Sequence, residues 1–279
     1  MRDNIKNLLT RTVSGATLLA IVAGAILWSS WSFGVLLLVV TIGCVYEFNR
    51  MSRRLGHEPS EAISIAAAMT IFAFGFDLFF NSSGWSIEIV LFMILIIPMT
   101  FIVEIFKKKS NPMANIALTL MPLLYIAAPI ALLAGIPIQM CGGVWSPLVM
   151  LLYIIVVWSN DIFAYLAGIT LGKNLLCERL SPKKTWEGLF GGVIGSVLVS
   201  ICVANILGHS VTVWVGVALI ATITGVMGDL VESMFKRSID MKDSGSLMPG
   251  HGGWLDRFDS LILSAPFVFV YLLIINLTK

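Results

Sequence analysis

The sequence is poor in charge. Asp, Glu, Lys and Arg make up 12% of the chain, where a soluble domain typically carries about 25%. With hydrophobic residues at 58%, that shortage excludes an ordinary water-soluble fold, whose core has no room for so much apolar surface. Clustered cysteine is missing too. Cys44, Cys141, Cys177 and Cys202 stand far apart, so neither a disulfide framework nor a thiolate metal site is indicated; they read as small apolar fillers. There is no Walker loop: Gly168-x-x-x-Gly172-Lys173 is one residue short of GxxxxGK[ST], and Asn174 replaces the hydroxyl. No repeat and no low-complexity linker divides the chain. The first apolar run is long and a second follows at once, which fits an uncleaved span better than a signal peptide.

What the chain has is apolar runs. A helix crossing roughly 30 Å of hydrocarbon needs about 20 mostly apolar residues. Nine candidate spans lie near 13–30, 32–48, 62–80, 85–105, 113–138, 146–170, 188–207, 211–231 and 258–277. The expected fold is therefore all-α: a polytopic integral membrane helical bundle of about nine transmembrane helices. Residues 1–110 form N-terminal transmembrane helices, and 111–279 a catalytic region with loops 171–187 and 232–257. Ser29, Ser30 and Ser32 mark a turn inside the apolar stretch 12–48, and Pro122, Pro129 and Pro137 predict a kinked or broken fifth span. With the N-terminus cytoplasmic, every one of the 18 lysines and arginines except Lys279 falls in an inner segment. The positive-inside rule predicts that asymmetry, and one missed helix would invert every later loop. Lys107, Lys108 and Lys109 read as topology determinants, as do Arg50, Arg53 and Arg54, with anionic lipid contact a secondary role. Gly188, Gly191, Gly192 and Gly195 recur at helical spacing and favour close helix packing.

Carboxylates inside spans are costly and usually functional. Asp77, near an outer helix end, and Glu104, near an inner one, have an interface within reach. Asp161 lies deeper, in WSNDIFAY, beside Asn160 and a turn before Tyr165; an interhelical hydrogen bond competes there with a metal or substrate contact. In GDLVESMFKR, Asp229, Glu232, Ser233 and Lys236 recur at helical spacing and share one face. Lipid cannot satisfy that polar stripe. Downstream, Lys242, Asp243 and Gly245 precede the turn Pro249-Gly250-His251-Gly252-Gly253, whose glycines and nearby bases suit a phosphate cradle. His251 fits either turn hydrogen bonding or acid–base work. Asp256 and Asp259 then stand three apart at the start of the last span. Paired carboxylates amid bases suit a hard divalent cation bridging phosphate oxygens. In Ser181-Pro182-Lys183-Lys184-Thr185-Trp186-Glu187-Gly188, Thr185 is placed to cap a helix whose N-terminus favours an anion.

The run Ser233-x-x-Lys236-Arg237-x4-Lys242-Asp243-x-Gly245, with Pro249-Gly250-His251-Gly252-Gly253 and Asp256-Arg257-Phe258-Asp259, resembles the signature of phosphatidate cytidylyltransferases (CDP-diacylglycerol synthases). SPKKTWEG and WSND with Tyr165 resemble two further motifs of that family. The similarity covers roughly 153–265; Met248 and Trp254 stand where a branched aliphatic is expected, and Asn174–Arg179 matches more loosely. The resemblance implies CTP plus phosphatidate giving CDP-diacylglycerol and pyrophosphate in phospholipid biosynthesis. It also implies a requirement for Mg²⁺, a second cation being open, and a homodimer in the cytoplasmic membrane with the site facing the cytoplasm. On that basis Asp229, Lys236, Arg237, Lys242, Asp243, His251, Asp256 and Asp259 are the expected catalytic residues. Ser181, Lys183, Lys184, Thr185, Trp186, Glu187, Ser233, Gly252, Gly253 and Arg257 are expected to bind substrate. Asp229, Asp256 and Asp259 are expected to bind metal, with Asp161 as an extra ligand. Trp186 has two readings, a base-stacking ring or an interface anchor. A transporter is the competing class, which predicts midplane acids and an inverted repeat; another nucleotide-dependent lipid-phosphate transferase or kinase is the nearer alternative.

Overall fold

The structure, a computed structural model, describes residues 2–80, 86–241, 244, 245 and 252–278, and for 2–14 and Ser86 the backbone alone. Among the described residues ten α-helices follow in order: α1 (Arg2–Trp28), α2 (Ser30–Arg54), α3 (Glu61–Phe80), α4 (Ser86–Lys107), α5 (Pro112–Pro122), α6 (Ala128–Met140), α7 (Pro147–Leu171), α8 (Trp186–Leu207), α9 (Val211–Ser238) and α10 (Leu255–Leu277). A short hairpin, β1 (Leu175–Cys177) and β2 (Ser181–Thr185), lies between α7 and α8. Among the described residues eight helical stretches are long and apolar enough to cross a membrane, and Gly15–Trp28 adds a shorter apolar one. The chain is a multi-pass membrane helical bundle.

The punctuation follows local chemistry. The expected break after the first span falls at Ser29. Ser29 Oγ accepts from Ser32 N–H while Ser32 Oγ accepts from Ser29 N–H, both at 3.0 Å, a capping box that starts α2. The proline-rich fifth span is interrupted as expected. A π-helical turn, Leu123–Ala127, separates α5 from α6 immediately after Pro122, where a missing N–H prevents the regular ladder. Helix α9 runs on to Ser238, so the first residues of the expected loop 232–257 are helical.

The chain divides into two compact units, Met1–Gly135 with Ser238–Phe258, and Ile136–Arg237 with Asp259–Lys279. In the first, the core includes Phe33, Leu37, Val40 and Cys44 of α2 and Ala67, Ala68 and Phe72 of α3. Asp77 and Glu104 belong here, and the protein buries both: each is about 5% exposed. Glu104 is held inside by Asn115 Nδ2 at 2.6 Å and Lys107 Nζ at 3.4 Å, because a buried carboxylate needs donors. In the second unit the core includes Tyr153, Val156 and Val157 of α7, Trp214 and Val217 of α9, and Ile262 and Ala265 of α10. Helix α8 lies against α7 so closely that a Cβ on Gly188 would sit 2.9 Å from the Ala164 carbonyl oxygen. The glycine spacing predicts this approach.

Candidate active site

In the second unit, α9 places Asp229 and Glu232 one turn apart, as the spacing predicts. Asp259 of α10 joins them, and ligand oxygens of the three carboxylates lie within 4.8 Å of one another. The approach depends on Gly228: a Cβ there would lie 2.5 Å from the Asp259 carbonyl oxygen and 3.0 Å from Leu263 Cβ. Glu232 is fully buried and Asp259 8% exposed, so the cluster sits where water screens little. Two ammonium groups offset the charge. Lys184 forms an ion pair with Asp229, and Lys236 pairs with Glu232 one turn along the same helix.

Beside the cluster is a cavity of about 560 Å³, lined among others by Asn160 and Asp161 of α7, Ser181, Lys183, Lys184 and Thr185 of β2, and Asp229. The hairpin delivers the basic residues. Its strands pair antiparallel, Leu175 opposite Thr185 and Cys177 opposite Ser181, and the second strand ends directly in α8. Thr185 caps that helix, its Oγ1 accepting from Gly188 N–H at 3.1 Å. Asn160 Nδ2 donates to Asp161 Oδ1 at 3.3 Å. Glu187 is engaged elsewhere: it accepts from the N–H of Lys173 and Asn174 at 3.1–3.3 Å and from Asn174 Nδ2 at 2.7 Å. It ties the end of α7 to the start of α8. Trp186 is exposed, its ring tilted against Phe190 with centroids 6.3 Å apart.

The remaining expected residues are not part of the carboxylate trio. Asp256, in the first turn of α10, belongs to the first unit, where its Oδ2 accepts from Ser244 N–H at 2.9 Å and Gly253 N–H at 2.8 Å, and the Ser244 hydroxyl, 2.9 Å from it, shares one proton between Asp256 and Glu47. Gly252 has φ +80°, and a Cβ there would meet Asp256 Oδ2 at 2.6 Å, so this turn needs glycine. Arg237 and Arg257 are exposed, and Ser233 is half-buried. Lys242, Asp243 and His251 lie outside the described residues. The sequence reading overlooked Glu47 of α2. Its carboxylate is buried and takes donors from Ser244, Trp254 and Leu255. The signal was present: Glu47 is a lone carboxylate at the end of an apolar run, as unusual there as the acids that were noticed.

The trio Asp229, Glu232 and Asp259 offers oxygen donors only, the set preferred by hard divalent cations such as Mg²⁺. Convergence within 4.8 Å beside a cavity carrying lysines fits such an ion with phosphate groups. The same trio fits poorly with softer metals, which favour thiolate or imidazole.

The sequence profile of the cytidylyltransferase family matches residues 9–275. A phosphatidate cytidylyltransferase of Rickettsia bellii (strain RML369-C) is 31% identical over 272 residues, covering 94% of this chain and 90% of that protein. Phosphatidate cytidylyltransferases of Staphylococcus aureus (strain COL) and Staphylococcus haemolyticus (strain JCSC1435) are each 44% identical over 121 residues, covering 43% of this chain and 46% of theirs. With its profile match spanning nearly every residue, the chain belongs to the cytidylyltransferase family.

Proposed function

We propose that this chain is a phosphatidate cytidylyltransferase, joining CTP to phosphatidate to give CDP-diacylglycerol and pyrophosphate. The observation that carries the reading is the convergence of Asp229, Glu232 and Asp259 with Lys184 and Lys236. The relative matched along almost its whole length bears that name. A phosphatidate oxygen attacks the α-phosphorus of CTP; a new P–O bond forms, the bond from that phosphorus to the β-phosphate oxygen breaks, and pyrophosphate leaves. The nucleophile is already an anion, so no strong base is required. Catalysis rests on alignment and on neutralising charge.

Lys183 and Lys184, carried on β2 beside Ser181 and Thr185, meet substrate phosphates in this reading. Lys184 exchanges its carboxylate partner for a phosphate oxygen, and Lys236, paired with Glu232, does the same for a second phosphate. Arg237 and Arg257, both exposed, supply further positive charge at the helix ends. Asp229, Glu232 and Asp259 would hold a divalent cation such as Mg²⁺, which supplies Lewis-acid neutralisation of phosphate oxygens. Asp161, which lines the cavity beside Asp229, is a further candidate for that role. The loops face the cytoplasm, a placement supported by the lysines and arginines at those helix ends.

The test uses purified protein, CTP labelled in the base, phosphatidate and Mg²⁺. Label is expected to move into organic solvent as CDP-diacylglycerol, with one pyrophosphate released per lipid. Label that stays in water while CDP is released would instead indicate a kinase and overturn the reading.

A further inference from the structure

Glu47 lies in α2, a helix with no part in the chemistry described above, yet its carboxylate takes three donors from the segment around the start of α10. The residue is 3% exposed. Its carboxylate accepts from Ser244 Oγ at 2.9 Å, Trp254 N–H at 2.9 Å and Leu255 N–H at 3.0 Å. The two backbone donors are at the mouth of α10, where N–H groups have no partner within the helix and a negative charge is favoured. Ser244 links Glu47 to Asp256, because its Oγ is also 2.9 Å from Asp256 Oδ2. Two glycines press against the same carboxylate. A Cβ on Gly245 would lie 2.8 Å from Glu47 Cδ, and one on Gly253 would lie 2.5 Å from Glu47 Oε1. Four residues before Glu47, a Cβ on Gly43 would lie 2.5 Å from the Trp254 ring. Gly43 thus accommodates the indole at a position where a smaller side chain is expected. One face of α2 is shaped to receive Ser244–Gly245 and Gly252–Asp256.

We propose that Glu47 is a positioning residue for CTP. It fixes Ser244, the Gly252–Gly253 turn and the first turn of α10 in the shape that the nucleotide requires. This rests on the cytidylyltransferase reading, with Gly252 and Gly253, expected from the family resemblance to bind substrate, here assigned to the nucleotide. Glu47 touches no substrate; it acts through the backbone of the turn and through Ser244. A carboxylate presents acceptors at both oxygens, and Glu47→Gln keeps the volume while turning an N–H₂ towards at least one of the three donors. The turn then opposes a donor with a donor and moves.

The test measures KM for CTP and for phosphatidate, with the thermal midpoint, in the full-length detergent-solubilised wild type, Glu47→Gln, Ser244→Ala and the double variant. In Glu47→Gln, KM for CTP is expected to rise by about tenfold or more, while KM for phosphatidate stays within about twofold. Ser244→Ala should shift KM for CTP in the same direction by less, and the double variant should be no worse than Glu47→Gln alone, since both act through one bridge. A residue that only supports the fold lowers the active fraction and moves neither KM. Unchanged KM values in a folded Glu47→Gln, or additive effects in the double variant, overturn the proposal. If Glu47→Gln does not fold, Ser244→Ala decides, and an unchanged KM for CTP in it is the overturning result. Wild type that makes no CDP-diacylglycerol sinks the functional reading and this proposal together; active wild type with wild-type-like variants sinks the proposal alone.

Discussion

Each unit of the molecule holds a carboxylate cluster beside α10, and the two clusters are neutralised differently, although the first unit also pairs its separate Glu104 with Lys107. In the second unit, Asp229 and Glu232 are met by the ammonium groups of Lys184 and Lys236. In the first, Glu47 and Asp256 are met by backbone N–H groups and one serine hydroxyl. A lysine sits on four flexible methylenes and can leave its partner for a phosphate. A backbone N–H moves only if the chain moves. The ion-paired group is therefore suited to exchange partners during a reaction, and the amide-bound group is suited to hold a shape. The two clusters share a residue type and differ in how mobile their donors are.

The largest break of this contrast is expected at Asp259. Asp259→Asn removes one of three converging charges at nearly constant volume, and turnover should fall by about 10³-fold, the scale of losing a main electrostatic contact to a transferring phosphate. The helices should persist, checked by circular dichroism and a monodisperse elution profile. Stripping divalent cations with a chelator should abolish wild-type turnover reversibly, with Mg²⁺ restoring it. Activity near wild type in Asp259→Asn would remove the carboxylate trio from the chemistry.

Lys184 comes next. Lys184→Met keeps the stem and deletes the charge, so turnover should fall by about 10²-fold, as a phosphate contact is lost and Asp229 loses its ammonium. Lys184→Arg should recover only part, because a planar fork does not fit a site built for a compact ammonium. The readout is kcat/KM for CTP and for phosphatidate. Equal loss in both variants would mean that shape rather than charge matters at this position, and the partner-exchange idea would fail.

Much of this was legible in the sequence, for physical reasons that differ by element. The spans were readable because a bilayer demands long apolar runs. The break at Ser29 was readable from a cluster of serines, and the break after Pro122 from a missing N–H. The stripe Asp229–Lys236 was readable from helical spacing alone. Three things were not. The β1–β2 hairpin is made by two short strands, and its pairing depends on register that no periodicity reveals in so few residues. Glu47 was passed over because it lies far from the motifs in sequence, and its partners at 244, 254 and 255 become neighbours only on folding. Glu187 sits within a motif but turns its carboxylate to Lys173 and Asn174, a direction set by the geometry of the turn between α7 and β1 rather than by composition.

Glu187 gives the smallest expected effect, and it sharpens the comparison most directly. Like Glu47 it is a carboxylate gripped by backbone N–H groups; unlike Glu47, its hydrogen bonds are exposed. If donor type alone fixed a residue's importance, Glu47→Gln and Glu187→Gln would be alike. Burial argues otherwise. Where water has access, it replaces a lost partner, and the net value of a hydrogen bond falls to about 1 kcal/mol; where it has none, the stranded donor carries the full cost of desolvation. Glu187→Gln should therefore keep kcat/KM for both substrates within about threefold and lower the thermal midpoint by only a few degrees. The larger shift in KM for CTP belongs to Glu47→Gln. A loss of about 100-fold or more in folded Glu187→Gln would instead place this carboxylate against a substrate. The hairpin's hold on the end of α7 would then be incidental to what Glu187 does.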